Sequence, residues 1–495
     1  MLRGRVNFDR ISALPRCPAM LISQSRPRRT RYTAPTPDVR LSPFTFSFIV
    51  TPHMRQKTFL IRVVCTLLLL SVASATGAAQ TYKKSIGESR REGLRMLKDI
   101  NDALKENYYD PTFHGLDIDA RFRLAAEKIG EATTGGQVFG IVAQAVLDLN
   151  DSHTRFVPPP RGEVAVYGWR MLIFGDACYI TAVAPGSDAE AKGLKAGDRV
   201  LSVDGYEPTR DTLWKMYYYY YLLRPKSRVN VSVRTPAGEM REAEVMTKVK
   251  KVNIYFNSGW INIDEHSPDV EDGLGPGPHY AEFGQDLIVC RLPSFELDSS
   301  DVDKMLKKVA GHKALVLDLR GNPGGLVSAL ERFAGYFFDR EVKIADIKGR
   351  KETTESKAKP RGAGGFGGKL IVLVDSRSAS ASEVFARLVQ IENRGVVIGD
   401  HTLGKVMESR IYDLAATGEP QGAPYYAVSI TNADLFMSDG QRLEGRGVAP
   451  DELVLPTVDD IRLGRDPVLA RAAALADVQL TPEKAGELFT SKAKR

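Results

Sequence analysis

SRSASASEVFARLVQIENRGVVIGDHTLGKVMES, residues 376–409, is the stretch from which the rest of the chain is read. It follows an apolar run, LIVLV at 370–374, that fits a buried strand. It opens a segment whose apolar positions Val384, Phe385, Leu388 and Ile391 fit a helix. A serine cluster at a strand-to-helix junction suits an exposed nucleophile. The strand fixes the backbone, the helix N-terminus offers unpaired amides and a positive dipole, and Ala379 and Ala381 leave room beside the hydroxyl of Ser380. A serine is a weak nucleophile until a base takes its proton. No histidine stands in a recognisable triad motif, so the reading turns to Lys405, which follows a second strand pattern, GVVI at 395–398, and a Thr402-Leu403-Gly404 turn. Two plainer readings compete. Ser380-Ala-Ser-Glu383 is also a helix-capping box. Residues 399–405 fit the first seven positions of a GxxxxGK phosphate loop, but Val406 stands where a Mg²⁺-binding hydroxyl is required and no helical pattern follows.

The SASASE run, the TxGK turn and their spacing resemble the carboxyl-terminal processing (tail-specific) serine peptidases. The resemblance implies Ser380 as nucleophile, Lys405 as base, and no cofactor. It also implies an α/β fold: a ClpP/crotonase-like peptidase core with an inserted PDZ domain and an N-terminal helical region. The lysine would have to be neutral to take the proton, which calls for a dry site. Departures from the family pattern fall just after the base. Val406 replaces the second glycine of G-K-G, and Ser409 stands where the family has a glutamine. Glu383 and Ser409 are therefore the candidate orienting groups.

The chain has 495 residues, enough for two to four domains, and a net charge of +7. That charge is concentrated upstream: residues 1–79 hold twelve Arg and Lys against two Asp, so the remainder carries −3. Overall charge thus gives no support for a nucleic-acid partner. From Met54 the order is basic, then apolar, then small residues, with Ala73-Ser-Ala75 or Gly77-Ala-Ala79 as cleavage sites. This is the pattern of an export signal, with an uncleaved membrane anchor as the alternative. The expected location is periplasmic or extracellular, and residues 1–79 are set apart as extension and signal. Beyond them only Cys178 and Cys290 remain, both in apolar runs, which reads as two buried thiols.

Residues 80–160 read as a helical region, with apolar positions at Leu94, Leu97, Ile100, Leu104, Phe122, Ile129, Val138 and Val142. It closes in Asn150-Asp-Ser-His-Thr-Arg155. Asp151, Ser152 and Thr154 suit a turn, and His153 is left outside the catalytic set although the family carries a similar stretch.

Residues 163–250 form the next unit. The run PGSDAEAKGLKAGDRVLSVDG at 185–205, with a strand pattern on each side of its short helix, closely resembles a PDZ domain. Such domains bind an extended peptide as an added strand. Gly168 and Trp169, in Tyr167-Gly168-Trp169, are the candidate peptide-binding residues. Five consecutive tyrosines, Tyr217–Tyr221, fall on the helix expected beside the groove, and they cannot all face one side.

Residues 252–480 alternate strand and helix patterns and form the expected peptidase core. After the buried strand pattern at 313–320, the glycines of Gly321-Asn322-Pro323-Gly324-Gly325 present bare backbone amides, which suit an oxyanion or a phosphate. The DLRGNPGG run matches the family, and the resemblance implies that this glycine pair supplies one oxyanion donor, Gly324 first and Gly325 second, with the Ala381 amide as the other. GAGGFGG at 362–368 precedes a strand and reads as a loop. No HExxH or cysteine cluster points to a metal. The expected activity is that of an exported serine endopeptidase acting on protein or peptide substrates held near their C-termini, with a homo-oligomer or a regulatory adaptor as further partners. The competing class is a non-catalytic peptide- or ligand-binding protein built on the same modules.

Overall fold

Three parallel strands end side by side at the nucleophile loop, and the rest of the fold is arranged around them. The computed structural model describes residues 85–159, 163–251, 277–414 and 426–489, together with a two-residue strand at Leu21–Ile22. The leader read at 54–79 lies outside the described residues. The chain divides into two units, Met1–Gln24 with Ser89–Arg495, and Ser25–Glu88; the description below concerns the first.

The helical region is α1 (Ile86–Asn107), α2 (Ile118–Glu131) and α3 (Gly135–Leu147). Asp117 caps α2, and Thr134 with Gln137 forms a capping box on α3. Leu97, Ile100, Leu104, Phe122, Ile129, Val138 and Val142 are buried together, whereas Leu94 is exposed on the outer face of α1. The region ends in β1 (Arg155–Val157).

The next unit opens and closes on one antiparallel ribbon, β2 (Glu163–Val166) with β8 (Lys248–Lys251). Between them lies an antiparallel sheet in the order β3 (Trp169–Phe174), β4 (Ala177–Val183), β5 (Arg199–Val203), β6 (Arg228–Arg234), β7 (Met240–Met246). The short helix α4 (Asp188–Ala191) follows β4, and α5 (Leu213–Tyr217) follows β5. The helix expected to run on through the tyrosines changes at Tyr218 into a wider π-type turn, Tyr218–Leu223. The wider turn helps resolve the five-tyrosine conflict. Tyr218 enters the helical region's core and donates to the Phe156 carbonyl, while Tyr220 turns into this unit's own core.

The segment from residue 277 onward builds a six-stranded sheet in the order β9 (His279–Phe283), β10 (Leu287–Arg291), β11 (Ala314–Asp318), β15 (Lys369–Val374), β16 (Val396–Gly399), β19 (Glu452–Leu453). All pairs but β9 with β10 are parallel. Helices α6 (Ser299–Val309), α7 (Val327–Ala334) and α8 (Ala381–Ile391) pack in the core on one face. After α9 (Val458–Leu463), α10 (Pro467–Leu475) and α11 (Pro482–Glu487) cover the other. Burial on both faces explains why 287–290, 314–317 and 370–374 are unbroken apolar runs. Loops leaving the C-terminal ends of β11, β15 and β16 carry residues 319–325, 375–380 and 400–405, the edge at which open α/β sheets hold ligands.

A second sheet has the order β12 (Gly325–Leu326), the Leu21–Ile22 strand, β17 (Met407–Asp413), β18 (Ala427–Met437), β13 (Val342–Gly349), β14 (Thr353–Ala358), with β1 also on β18. The α/β class and the inserted antiparallel unit stand, but the expected ClpP/crotonase-like core is corrected. That expectation came from the family resemblance. The observed core is completed by β1, delivered from the helical region more than 250 residues before its partner strand.

The inserted unit is fastened to the peptidase sheet. Arg210 forms an ion pair with Asp400 at 2.7 Å and donates to the carbonyls of Gly175 and His401, while Gly175 N–H donates to Asp400. Ser376, on the nucleophile loop, donates to the Ile173 carbonyl of β3 at 2.7 Å.

Candidate active site

Ser380 joins β15 to α8 with φ 54° and ψ −117°, a backbone conformation that side-chain-bearing residues rarely adopt. Strain of this kind costs roughly 1–3 kcal/mol and persists only where the surroundings over-determine it. Here they do. Ser380 N–H donates to both the Lys405 carbonyl, at 2.9 Å, and Glu383 Oε2, at 3.0 Å. Ala379 N–H and the Ser382 hydroxyl donate to the Asn322 carbonyl, and the Ser378 hydroxyl to that of Leu319. The Ser380 hydroxyl itself is fully buried and has no hydrogen-bond partner among the described residues.

Glu383 is the hub of this arrangement. Its buried carboxylate accepts from Ser380 N, Gly404 N, Lys405 N and the Thr402 hydroxyl at 2.5–3.0 Å. Burial pushes its pKa up to about 7, against the opposing pull of those same donors. It thereby ties the elbow to the lysine turn. Lys405 is 2% exposed. Val406, the departure from G-K-G, packs its side chain into the peptidase core, and its N–H donates to Glu444. Ser409 is engaged by the Ser429 hydroxyl at 3.2 Å, and no contact joins it to Glu383.

The two candidate oxyanion glycines differ. Gly324 N–H already donates to Asn322 Oδ1 at 2.8 Å. Gly324 O and Leu326 N both bond to Phe295, so the strand alternation turns the Gly325 N–H the opposite way, toward the slot between β12 and β17. Gly325 has φ +147°, and a Cβ there would lie 2.3 Å from the Phe295 backbone, so only glycine fits. Ala381 N–H is the first amide of α8. The slot itself already holds an extended segment: Leu21–Ile22 pairs in parallel with Gly325–Leu326 on one side and Glu408–Ser409 on the other.

The structure adds a group that the sequence reading set aside. Ser152 and His153 are wholly buried. Ser152 Oγ lies 2.7 Å from His153 Nδ1 and donates to Glu444 Oε2 at 2.8 Å. A hydroxyl has one hydrogen. Once that hydrogen goes to the carboxylate, Ser152 accepts from Nδ1–H, which leaves Nε2 as the basic nitrogen. Burial raises the Glu444 pKa, and the charge of Lys405 opposes the rise. The Asp-Ser-His-Thr turn was visible in the sequence; Glu444, 292 residues away from Ser152, carried no signal that would pair the two.

In the inserted unit a pocket of ≈ 330 Å³ is lined by Trp169, Met171, Met216, Tyr217, Tyr220 and Tyr221, among others. Gly168 (φ +81°) immediately precedes it, and a Cβ there would meet the Ser187 side chain at 2.5 Å. Among the described residues no cluster of three or more His, Cys, Asp or Glu could hold a metal ion, and no helix is long and apolar enough to cross a membrane.

A strained serine elbow, converging amides and buried bases at the C-terminal edge of a parallel sheet define a serine hydrolase. Residues 286–454 match the model of peptidase family S41, and residues 165–212 that of the PDZ domain. These matches give the chain a peptidase family S41 segment and a PDZ domain. The chain is 25% identical to a carboxyl-terminal-processing protease of Picosynechococcus sp., covering 65% of this chain and 74% of that one. It is 27% identical to a chloroplastic C-terminal processing peptidase of Tetradesmus obliquus, over 72% and 76% of the two chains. Among solved structures, mature CPAF superposes with a TM-score of 0.56 at 15% identity, over 76% of this chain and 94% of CPAF. The shared fold is this one, which replaces the ClpP/crotonase-like core.

Proposed function

We propose that the chain is an exported serine endopeptidase in which Ser380 attacks the substrate carbonyl, the amides of Gly325 and Ala381 hold the oxyanion, and Lys405, as a neutral amine, takes the serine proton. Lys405 then gives that proton to the amine as the C–N bond breaks, and water, deprotonated by the same lysine, attacks the acyl-enzyme to release the carboxylic acid and return the proton to Ser380. The observation that carries this reading is the Ser380 elbow: a buried, unpartnered hydroxyl on a strained turn, hydrogen-bonded through its backbone to Lys405. The substrate is a protein or peptide. Its C-terminal residues would add to the open edge of β3 beside Gly168 and Trp169, with an apolar end in the tyrosine-lined pocket. The leader pattern at 54–79 supports export, and N-terminal sequencing of the mature chain tests it.

A second reading of the base is favoured by the Ser152–His153–Glu444 chain. His153, oriented through Nδ1, would accept the proton at Nε2, and Lys405 would balance the Glu444 charge. One set of variants separates the two. If the lysine is the base, Lys405→Ala and Lys405→Arg abolish peptide cleavage and His153→Ala retains it. If the histidine is the base, His153→Ala is the inactive variant. Ser380→Ala is inactive in both, and loss of labelling by an active-site serine reagent in that variant identifies the nucleophile. Labelling that persists in folded Ser380→Ala would sink the peptidase assignment of this serine.

A further inference from the structure

We infer that Tyr108 is a positioning residue of the peptidase site, acting through Asp151 on the turn that carries Ser152 and His153. The inference rests on the reading of His153 as base.

Tyr108 follows α1 and is fully buried. Its hydroxyl donates to Asp151 Oδ2 at 2.8 Å. The other oxygen, Asp151 Oδ1, accepts from His153 N at 2.8 Å, Thr154 N at 2.7 Å and the Thr431 hydroxyl at 2.7 Å. A buried carboxylate that receives two successive amides of one turn fixes the backbone of that turn, and with it the height and tilt of the imidazole. Thr431 lies on β18, and its carbonyl accepts from Tyr109 N at 3.0 Å, so the end of α1 and the turn are anchored to the same strand.

The tyrosine hydroxyl has one hydrogen, and His114 helps determine where it points. His114 Nε2 lies 2.9 Å from the Tyr108 oxygen. With the phenolic hydrogen spent on Asp151, the phenol oxygen is left as an acceptor facing Nε2, which the Tyr109 hydroxyl also approaches at 3.3 Å, while Nδ1 faces Asp110 at 3.3 Å. Phe113 and His114 both sit at positive φ, 52° and 57°, an uncommon pairing for two residues with side chains. The strain is retained in the turn that presents His114 to the tyrosine. A line of contacts, His114 to Tyr108 to Asp151 to the His153 amide, therefore runs from the partly exposed edge of the helical region into the active site. The helical region is thus part of the catalytic apparatus as well as a buttress for β18.

The test compares steady-state cleavage of one peptide by the full chain and by Tyr108→Phe, His114→Ala, His114→Gln and His153→Ala, each checked for a folded near-ultraviolet spectrum. Tyr108→Phe is expected to lower kcat about tenfold with KM within twofold of the parent. His114→Ala is expected to fall part of that way and His114→Gln, whose amide can still donate, to recover it. The Tyr108→Phe/His114→Ala double variant should be no worse than Tyr108→Phe alone, because both act along one line. An unchanged kcat in Tyr108→Phe while His153→Ala is inactive would overturn the inference and leave the histidine base standing. Full turnover in His153→Ala would overturn the base reading and this inference with it. Additive losses in the double variant would show that His114 does not act through the tyrosine.

Discussion

The backbone N–H of Ser380 lies 2.9 Å from the carbonyl of Lys405, so the nucleophile elbow and the lysine turn, 25 residues apart, form one hydrogen-bonded unit. Glu383 locks the same pair from the other side by accepting from both backbone amides.

That double attachment sets a pH dependence. With its pKa raised to about 7, Glu383 is ionised only above neutrality, and only the ionised carboxylate can accept from all four donors. Activity should rise with pH through about 7. Stability should move the opposite way, because a carboxyl whose folded pKa lies above its unfolded value loses stability as pH rises between the two, here from about 4.5 to about 7. The contribution is on the order of 3 kcal/mol. Thermal midpoints across this window check the sign, and Glu383→Gln should flatten that slope while lowering turnover by about a hundredfold. A slope identical in parent and variant would remove Glu383 as its source.

The strain at Ser380 predicts an inverted ranking of two inactive variants. Ser380→Gly relieves a positive φ that Ser380→Ala retains, so the glycine variant should be the more stable by about 1 kcal/mol despite glycine's greater freedom in the unfolded chain. Urea unfolding of the two is the measurement. A more stable alanine variant would mean that the elbow stores no strain.

Gly325→Ala places a methyl 2.3 Å from the Phe295 backbone, which cannot yield as a flexible side chain would. Loss of at least 3 kcal/mol and of serine-reagent labelling is expected, since β12 must move away from Phe295. Wild-type labelling by this variant would exclude Gly325 as an oxyanion donor.

Asp400→Asn or Arg210→Ala breaks the fastening between the PDZ unit and the peptidase sheet. Asp400 is 4% exposed and receives both Arg210 and Gly175 N–H, so removing either charge leaves a poorly matched buried partner, at a cost of roughly 3 kcal/mol. Hydrogen exchange of β3 and β4 should accelerate while β11 and β15 stay protected. Uniform acceleration throughout would indicate global destabilisation instead.

Much of this was legible in local pattern. The apolar runs 370–374 and 314–317 became central strands because burial on both faces leaves no polar position to disguise them. The strand-to-helix change at Ser380 was readable because its switch of period is confined to a few residues. Other features were not readable, for physical reasons that can be named. Gly324 and Gly325 are identical as letters, and only the Asn322 side chain and the Phe295 bridge distinguish their amides. The tyrosine run gave no clue to a wider helical turn, which follows from the two cores that flank it. His153 sits in a turn whose composition is that of any turn, and its place beside Glu444 depends on packing between distant segments.

The Ser152–Glu444 hydrogen bond also bears on the order of events during synthesis and folding. Its partners are separated by 292 residues, so a chain emerging from a ribosome or a translocon has made its helical region, its PDZ domain and its nucleophile well before the carboxylate exists. Closing so long a loop costs entropy that only the assembled second sheet can offset. The Ser152–His153–Glu444 chain therefore cannot be completed until residue 444 has been made. On the reading of His153 as the base, partly made chains crowded together with unfolded neighbours would lack a finished site with which to cut one another.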